Sequence, residues 1–357
     1  MTVGLSPFGV TEMKADMRSL FLVLSVVALS LCLDTSPASS QSRLTLNAVK
    51  LRDAVVCGVS NGTRGFSARK PDGTWHGLDI DICRAVAAAA LGDAGKVKFV
   101  PLNAQERFKS LQLGEVDILS RNTTWTHTRD IAMGMTFVGI AYFDGQGFMV
   151  RKGSNINTLE DMRGARICYE TGTTTEVSLA DHFAVKGIDY KPVPFDTAPL
   201  TMIGFQSGRC DILTSDQSEL FSLRLELSKP DSAEVLPLII EKEPLGPVVR
   251  RGDESWEALV RWVLFSLIDA EELGVNSENV DQLVQSRDPA IKLLLKGTAA
   301  DLSIGLPAEW VVRVVKQVGN YGEIFERNVG AGSPLGIPRG LNDLWNRGGL
   351  MYAPPFR

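Results

Sequence analysis

Two stretches of this sequence place charged and hydroxyl-bearing side chains directly after short apolar runs. In the first, Leu113-Gly114-Glu115-Val116-Asp117-Ile118-Leu119 reads as a turn feeding a buried strand, and Ser120-Arg121-Asn122-Thr123-Thr124-Trp125-Thr126-His127-Thr128-Arg129 follows. Hydroxyls, an amide and an arginine after a strand set hydrogen-bond donors at its carboxyl end, where open α/β sheets bind ligands. The guanidinium of Arg129 offers two parallel N–H donors, which match a carboxylate. In the second stretch, Gly208-Arg209-Cys210-Asp211-Ile212-Leu213 repeats the Gly-x-x-Asp-Ile-Leu pattern, and Thr214-Ser215-Asp216 follows. At a strand mouth facing Arg129, Asp216 would hold an ammonium. Between the two lies Gly172-Thr173-Thr174-Thr175 ahead of a helical run, whose free N–H groups and dipole suit an anion. Each stretch taken singly is also an ordinary polar loop, a helix cap or a turn. Repeated in two similar halves, they are the residue types that a two-jawed grip on a zwitterion would need.

Elements that position these residues follow from hydrophobic spacing. Asp53–Val59 reads as a buried strand and Ser60–Phe66 as the loop leaving it. Residues 79–91 carry Ile82, Ala85, Val86 and Ala89 at helical spacing, with Asp79 and Asp81 in the first turn where carboxylates complement the dipole. Val97–Val100 is a second strand, Ala104–Leu113 a short helix, and Asp117–Ser120 a third strand. This order implies a parallel sheet with right-handed crossovers. Met135–Val150 holds extended segments that leave this unit. A second unit then repeats the pattern: a short helix at Leu159–Met162, a strand at Arg166–Tyr169, a helix at Val177–Lys186, an extended run at Tyr190–Pro194 and a helix at Leu200–Ser207. Glu243–Val249 is expected to return to the first unit. Long amphipathic spacing marks a helix over Glu254–Glu272, with further helices over Asn279–Val284 and Pro307–Val318. Beyond Gly330 the Gly/Pro-rich tail is expected to lie on the surface or fray.

The chain has 357 residues, a formal charge of -5 and 22% charged residues. That length suits about two domains, and the charge gives no basic excess for nucleic acid. Lys14 and Arg18 precede an apolar run over Leu20–Leu33, too short to span a membrane, which needs roughly 20 residues. Ala38-Ser39-Ser40 follows. The pattern is that of a secretory signal peptide cut near Ser40, with Met13 and Met17 as alternative starts and a retained anchor as the alternative. Leu31 before Cys32 argues against lipidation. Trp262–Ile268 is brief, is flanked by charge and fits a buried helix. Without Cys32, four cysteines remain: Cys57, Cys83, Cys168 and Cys210. An even count in a secreted chain suggests disulfides, and four cysteines allow three connectivities. His76, His127 and His182 are scattered and no C-x-x-C occurs, so neither a metal nor a cofactor is expected.

Gly77-Leu78-Asp79-Ile80-Asp81-Ile82-Cys83-Arg84-Ala85-Val86 resembles the signature of the periplasmic polar-amino-acid-binding proteins of ABC transporters, solute-binding protein family 3. Asn122-x-Thr124 with Arg129 resembles that family's carboxylate grip, Gly172-Thr173-Thr174 its second-lobe loop, and Asp211–Asp216 its ammonium site. The resemblance covers about residues 50–285. The wording around Ser120–Thr126, Glu170–Glu176 and Ser207–Ile212, with the long C-terminal extension, is most similar to the general L-amino-acid-binding subgroup. It implies a type II periplasmic-binding fold, in which two lobes, each a mostly parallel sheet flanked by helices, join through a two-strand hinge. The expected division is 1–40 leader, 41–145 first part of lobe 1, 146–242 lobe 2, 243–341 second part of lobe 1 with a helical extension, and 342–357 tail.

The resemblance implies a monomeric, periplasmic receptor that closes on free amino acids of broad range and delivers them to ABC permease subunits with their ATPase. Implied ligand contacts are Arg129, Thr124, Asn122, Trp125, Gly172, Thr173, Thr174, Asp216, Ser60 and Asn61. Asn122 stands where the family has glycine, and Ser60 and Asn61 stand where it often has an aspartate for the ammonium. Trp125, Tyr142 and Phe66 are candidates for the apolar wall. A two-lobe model favours Cys57–Cys83 and Cys168–Cys210, because each pair stays inside one lobe and leaves the hinge free. The rival reading is a dehydratase on the same scaffold, acting on a cyclic amino acid or carboxylic acid. It would need Glu170, Glu176 or His127 as a general acid, and no nucleophile–base pair stands out. A sensor ectodomain is a third reading, disfavoured because no later apolar stretch is long enough to span a membrane.

Overall fold

The run Val-Val-Cys-Gly-Val at Val55–Val59 is buried almost throughout, the mark of an inner parallel strand covered on both faces. Around it the chain builds the first of two sheets. The structure is a computed structural model describing residues 1, 2, 4 and 44–357. The leader expected over 1–40, with Lys14, Arg18 and Cys32, therefore falls outside the described residues apart from three terminal positions.

In chain order, helix α1 (Leu44–Arg52) leads into strand β1 (Val55–Val59), and the hairpin of β2 (Ala68–Arg69) and β3 (Trp75–His76) precedes α2 (Leu78–Leu91). Then come β4 (Val97–Pro101), α3 (Arg107–Gln112), β5 (Ile118–Leu119), α4 (His127–Ala132) and β6 (Met135–Phe137). The long β7 (Tyr142–Arg151) crosses to the second unit, formed by β8 (Arg166–Glu170), α5 (Thr174–Lys186), β9 (Lys191–Phe195), α6 (Ala198–Gln206), β10 (Ile212–Asp216), α7 (Gln217–Glu226) and β11 (Ala233–Val235). Strand β12 (Glu241–Leu245) runs back beside β7, and β13 (Val248–Arg250) re-enters the first sheet. Helices α8 (Glu254–Glu272), α9 (Val280–Leu283), α10 (Pro289–Lys296), α11 (Ala299–Ser303), α12 (Trp310–Val318) and α13 (Tyr321–Asn328) follow.

The first sheet has the order β4-β1-β5-β13-β6, with β4, β1 and β5 parallel and β13 antiparallel to both of its neighbours. The second has the order β11-β7-β10-β8-β9, with β8 parallel to β9 and β10. In each sheet the parallel strands end on the same edge. That edge collects the loops after β1, β4 and β5 in one lobe and after β8 and β10 in the other.

Helix α2 shows why this sequence packs as it does. Its Ala85–Ala90 run is wholly buried, and such small side chains let α12 lie close against it. Gly77 just before it has φ 135°, and a Cβ there would sit 2.0 Å from the Phe66 carbonyl oxygen, so only glycine fits. Asp81 on α2 accepts from Arg327 and Asn328 of α13, at 2.7–2.9 Å, and so anchors the extension.

The tail corrects the expectation of a frayed end. Leu344, Met351 and Ala353 are buried, and Phe356 packs edge-on against Trp262 at 5.0 Å. Asn342 bonds both the N–H and the carbonyl of Phe143 on the crossing strand. Helices α1, α4, α7, α10, α11 and α13 are present in addition to those expected, and α8 has the bounds read from its spacing. Among the described residues no helix is long and apolar enough to cross a membrane.

Cys57 is joined to Cys83 and Cys168 to Cys210, with Cα separations of 6.3 and 5.7 Å. Each bond ties neighbouring elements of one lobe. Peptide mapping of the unreduced protein should recover these two linkages, and a Cys57–Cys168 peptide would refute them. A second prediction concerns Asp79, whose carboxylate accepts from the Ser120 hydroxyl at 2.8 Å and the Asn122 N–H at 3.2 Å. Burial pushes its pKa up to about 6. The folded state thus binds this proton more tightly than the unfolded chain does. Its contribution is present at acid pH and lost as pH rises through about 6, a fall of about 3 kcal/mol. Denaturation of Asp79→Asn between pH 4 and pH 7 should show a profile flatter by about that amount. An unchanged slope would exclude Asp79 as the titrating group.

Candidate ligand cleft

The loop after β5 carries the first jaw. Asn122 sits at φ 42°, in the left-handed region that asparagine tolerates better than most residues. This is the physical reason glycine also serves at such a position. Both polar atoms of its side chain are buried without a hydrogen-bond partner. Thr124 is buried, and its backbone bridges to Leu245 at the end of β12. Thr126 then caps α4, accepting the Arg129 N–H at 3.2 Å. Arg129 therefore stands on a short helix, not on the loop read from sequence. Its guanidinium is buried, donates to the Thr124 carbonyl at 3.0 Å, and lies 5.2 Å from the Phe108 ring.

The second jaw comes from the other lobe. Thr173 occupies the cap position of α5, and its hydroxyl donates to the Glu170 carbonyl at 2.7 Å. Thr174 donates to the Glu243 carboxylate at 3.0 Å and lies 3.3 Å from the Thr124 hydroxyl. Gly172 departs from its expected role, because its N–H donates to Glu176 at 3.1 Å. Asp216 ends β10 and is buried. Burial pushes its carboxyl well up, and the neighbouring carboxylates Glu243, Asp144 and Glu219 push it further. Its charge and that of Arg129 act on each other across the cleft.

Two other expected contacts are differently engaged. The Ser60 hydroxyl is 2.6 Å from that of Ser67 and donates to Thr63 at 3.1 Å, which ties down its own loop. Asn61 is exposed rather than held in the buried cleft. Trp125 is partly exposed, stacks on Phe137 at 5.4 Å, and lines a cavity of about 860 Å³ that also touches Arg129, Thr173, Thr174 and Glu243. Phe66 and Tyr142 are buried edge to face at 5.2 Å.

The lobes meet directly. Arg121 pairs with Glu170 at 3.2 Å, both buried, and Glu170 also accepts the Ala104 N–H at 3.3 Å. Gln105 donates to Thr171 at 2.6 Å, Thr63 to Glu219 at 3.1 Å, and Arg64 to Glu226 at 2.5 Å. This is a closed arrangement.

Arg107, Arg121, Asp144 and Glu243 lie at this cleft although sequence reading did not single them out. Arg107 and Arg121 follow the ends of β4 and β5, the signal that pointed to Arg129. Asp144 and Glu243 face each other in the paired crossing strands. For Asp144 a carboxylate within a largely apolar extended run was the available clue, whereas Glu243 follows Glu241 and Lys242 and had none. Burial pushes Asp144 up to about 6 and raises Glu243.

Several known proteins are similar to this chain. The general L-amino acid-binding periplasmic protein AapJ of Rhizobium johnstonii is 52% identical over 324 residues, which cover 90% of this chain and 95% of that one. The glutamate/glutamine/aspartate/asparagine-binding protein BztA of Rhodobacter capsulatus is 45% identical, over 92% of this chain and 98% of its own length. A solved ABC transporter periplasmic binding protein from Brucella ovis, with glutathione bound, superposes with a TM-score of 0.86 at 50% identity, covering 88% of this chain and 99% of that one. The fold is thus the two-lobed type II periplasmic-binding arrangement that the resemblance implied. Residues 55–280 match the model of the bacterial extracellular solute-binding proteins, family 3, and the chain belongs to that family.

Proposed function

We propose that this protein is the substrate-binding component of an ABC amino-acid importer. It takes free L-amino acids of broad range and hands them to a membrane permease driven by an ATPase. The reading rests on one observation above all: Arg129 with Thr124 on one lobe and Asp216 on the other are buried, and the charges of Arg129 and Asp216 act on each other. In this reading Arg129, Thr124 and the Thr173–Thr174 donors hold the α-carboxylate, while Asp216 pairs with the ammonium. Asn122 supplies a further amide and Trp125 a wall at the outer rim. Residues 41–145 and 243–341 form lobe 1, residues 146–242 form lobe 2, and β7 with β12 is the hinge. Contacts made by both lobes to one ligand favour the closed state. Breadth follows from gripping the part that all amino acids share.

Relatives named as periplasmic binding proteins support a periplasmic address, reached through the N-terminal leader, and a monomer suits the delivery role. The family is one of solute-binding proteins, so the chain is a binder and not an enzyme. Two of the three acids that a dehydratase could use are otherwise engaged, Glu170 with Arg121 and Glu176 with Gly172. Glutathione is a second candidate ligand, favoured by the complex of the Brucella ovis relative and by the roomy cavity beside Thr174.

Calorimetry of the mature protein against the twenty amino acids and glutathione should give binding heat with several of them, and silence with all would defeat the proposal. Arg129→Ala should weaken every amino acid by roughly 100-fold or more, because it strips the partner from a shared charge. Unchanged affinities would remove Arg129 from the carboxylate grip. Proton linkage supplies another check. The ammonium favours ionised Asp216, whose carboxyl is raised in the closed cleft, so binding should release protons and weaken as pH falls. Titrations in phosphate and Tris at one pH should differ in heat accordingly, and Asp216→Asn should reduce the difference.

A further inference from the structure

We infer that the C-terminal extension forms a second binding site, separate from the cleft, for a small organic amine: an ammonium head on an apolar body. A cavity of about 460 Å³ lies between α8, α10 and the end of the chain. Cavities of about 300–1,000 Å³ hold small molecules. Leu273 at the end of α8, Leu293 and Leu294 of α10, and Phe356 give it apolar walls. Phe356 is itself held in place by Trp262 at 5.0 Å and Trp310 at 6.2 Å. Of these elements only α8 falls within residues 55–280 that match the family model. Helix α10 and the tail lie beyond it, so the cavity is a product of the extension.

One acid on these walls has no partner. Asp269 lines the cavity and is 8% exposed, and among the described residues its carboxylate accepts no hydrogen bond and joins no ion pair. Glu272, three residues on and so on the same face of α8, also lines the cavity and accepts from the Trp345 indole at 3.1 Å. Asp288 adds a third carboxylate, which caps α10 by accepting the Ala290 and Ile291 N–H groups. Arg357 is the single cation among the lining residues, and among the described residues it pairs with none of the three. A carboxylate withdrawn from water without a donor is costly. Burial pushes the Asp269 carboxyl up to about 7, and the charge of Glu272 pushes it the same way. A cation seated beside both acids offsets both effects at once. Among the described residues no three His, Cys, Asp or Glu side chains are grouped to hold a metal ion, and the walls are largely apolar, so the cation that suits is organic. Its ammonium donates to Asp269 and Glu272, while its apolar body takes the space beside Leu293, Leu294 and Phe356.

Calorimetry of the mature protein with phenethylamine and its neutral counterpart phenethyl alcohol tests this. The wild-type protein should bind the amine roughly 10-fold or more tightly than the alcohol, the range of a charge-assisted buried contact. Asp269→Asn should remove most of that preference while leaving alcohol affinity within about threefold. Asp216→Asn, which strips the cleft of the counter-charge proposed for its ammonium, should bind the amine as tightly as the wild type. Loss of the amine there would seat it in the cleft and refute the second site. No binding heat at millimolar amine, or equal affinity for amine and alcohol, refutes it as well, and so does an Asp269→Asn protein that keeps the full preference. If Asp269→Asn does not fold, the amine–alcohol comparison on the wild type and on Asp216→Asn decides.

Discussion

Opposite charge on facing lobes is the constraint on which the rest of this structure depends. Lobe 1 brings Arg107, Arg121 and Arg129, and lobe 2 with its crossing strands brings Asp144, Glu170, Asp216, Glu219 and Glu243. All three arginines and most of these carboxylates are removed from water in the closed arrangement. Desolvating one such ion costs several kcal/mol, so each must find a partner. Arg121 and Glu170 satisfy one another across the cleft. The pairs that remain are set for a molecule carrying both signs.

The fold brings these groups together through strand direction rather than through local sequence. Parallel strands β4, β1 and β5 end on one edge, as do β8, β9 and β10 in the other sheet. Residues far apart in the chain therefore meet. Both disulfides lie within a lobe, so neither opposes relative motion of the two. The extension acts nearer the hinge. Asn342 holds Phe143 on β7, and the Tyr321 hydroxyl donates to the Ala141 carbonyl just before it, so the crossing strand leaves lobe 1 from a fixed point.

Much of this was legible in the sequence, and the limits have physical causes. Apolar runs and helical spacing located most of the longer strands and α8, because burial imposes periodicity. The repeat of Gly-x-x-Asp-Ile-Leu exposed the two sheet mouths. Missed helices were short, and their signals lay in the caps: Asp288 accepts from Ala290 and Ile291 ahead of Pro289, and Asn320 with Glu323 forms a capping box. Arg107 was hidden because a charged residue opening an amphipathic helix looks like a solvated one, and only tertiary packing buries it. Asn61 erred in the other direction, since a polar residue after a strand need not turn inward. The tail misled because its Gly/Pro content masked three apolar anchors.

Closure itself carries an electrostatic cost that selects the ligand. In the closed arrangement Asp216 and Glu243 are buried, and Asp144 lies within their field. Burial comes first and mutual repulsion second in pressing the Asp216 carboxyl upward. In the grip proposed here, an ammonium placed among them would reverse the sign of the repulsive part, and a carboxylate at Arg129 would do the same among the guanidiniums. Only a ligand that bears both ends gains from both lobes at once. A ligand shifts a conformational equilibrium only by its differential affinity for the two states. In the proposed grip that difference would arise where Thr124 of one lobe meets Thr174 of the other, 3.3 Å apart in the closed form. Recognition and closure thus draw on the same few atoms.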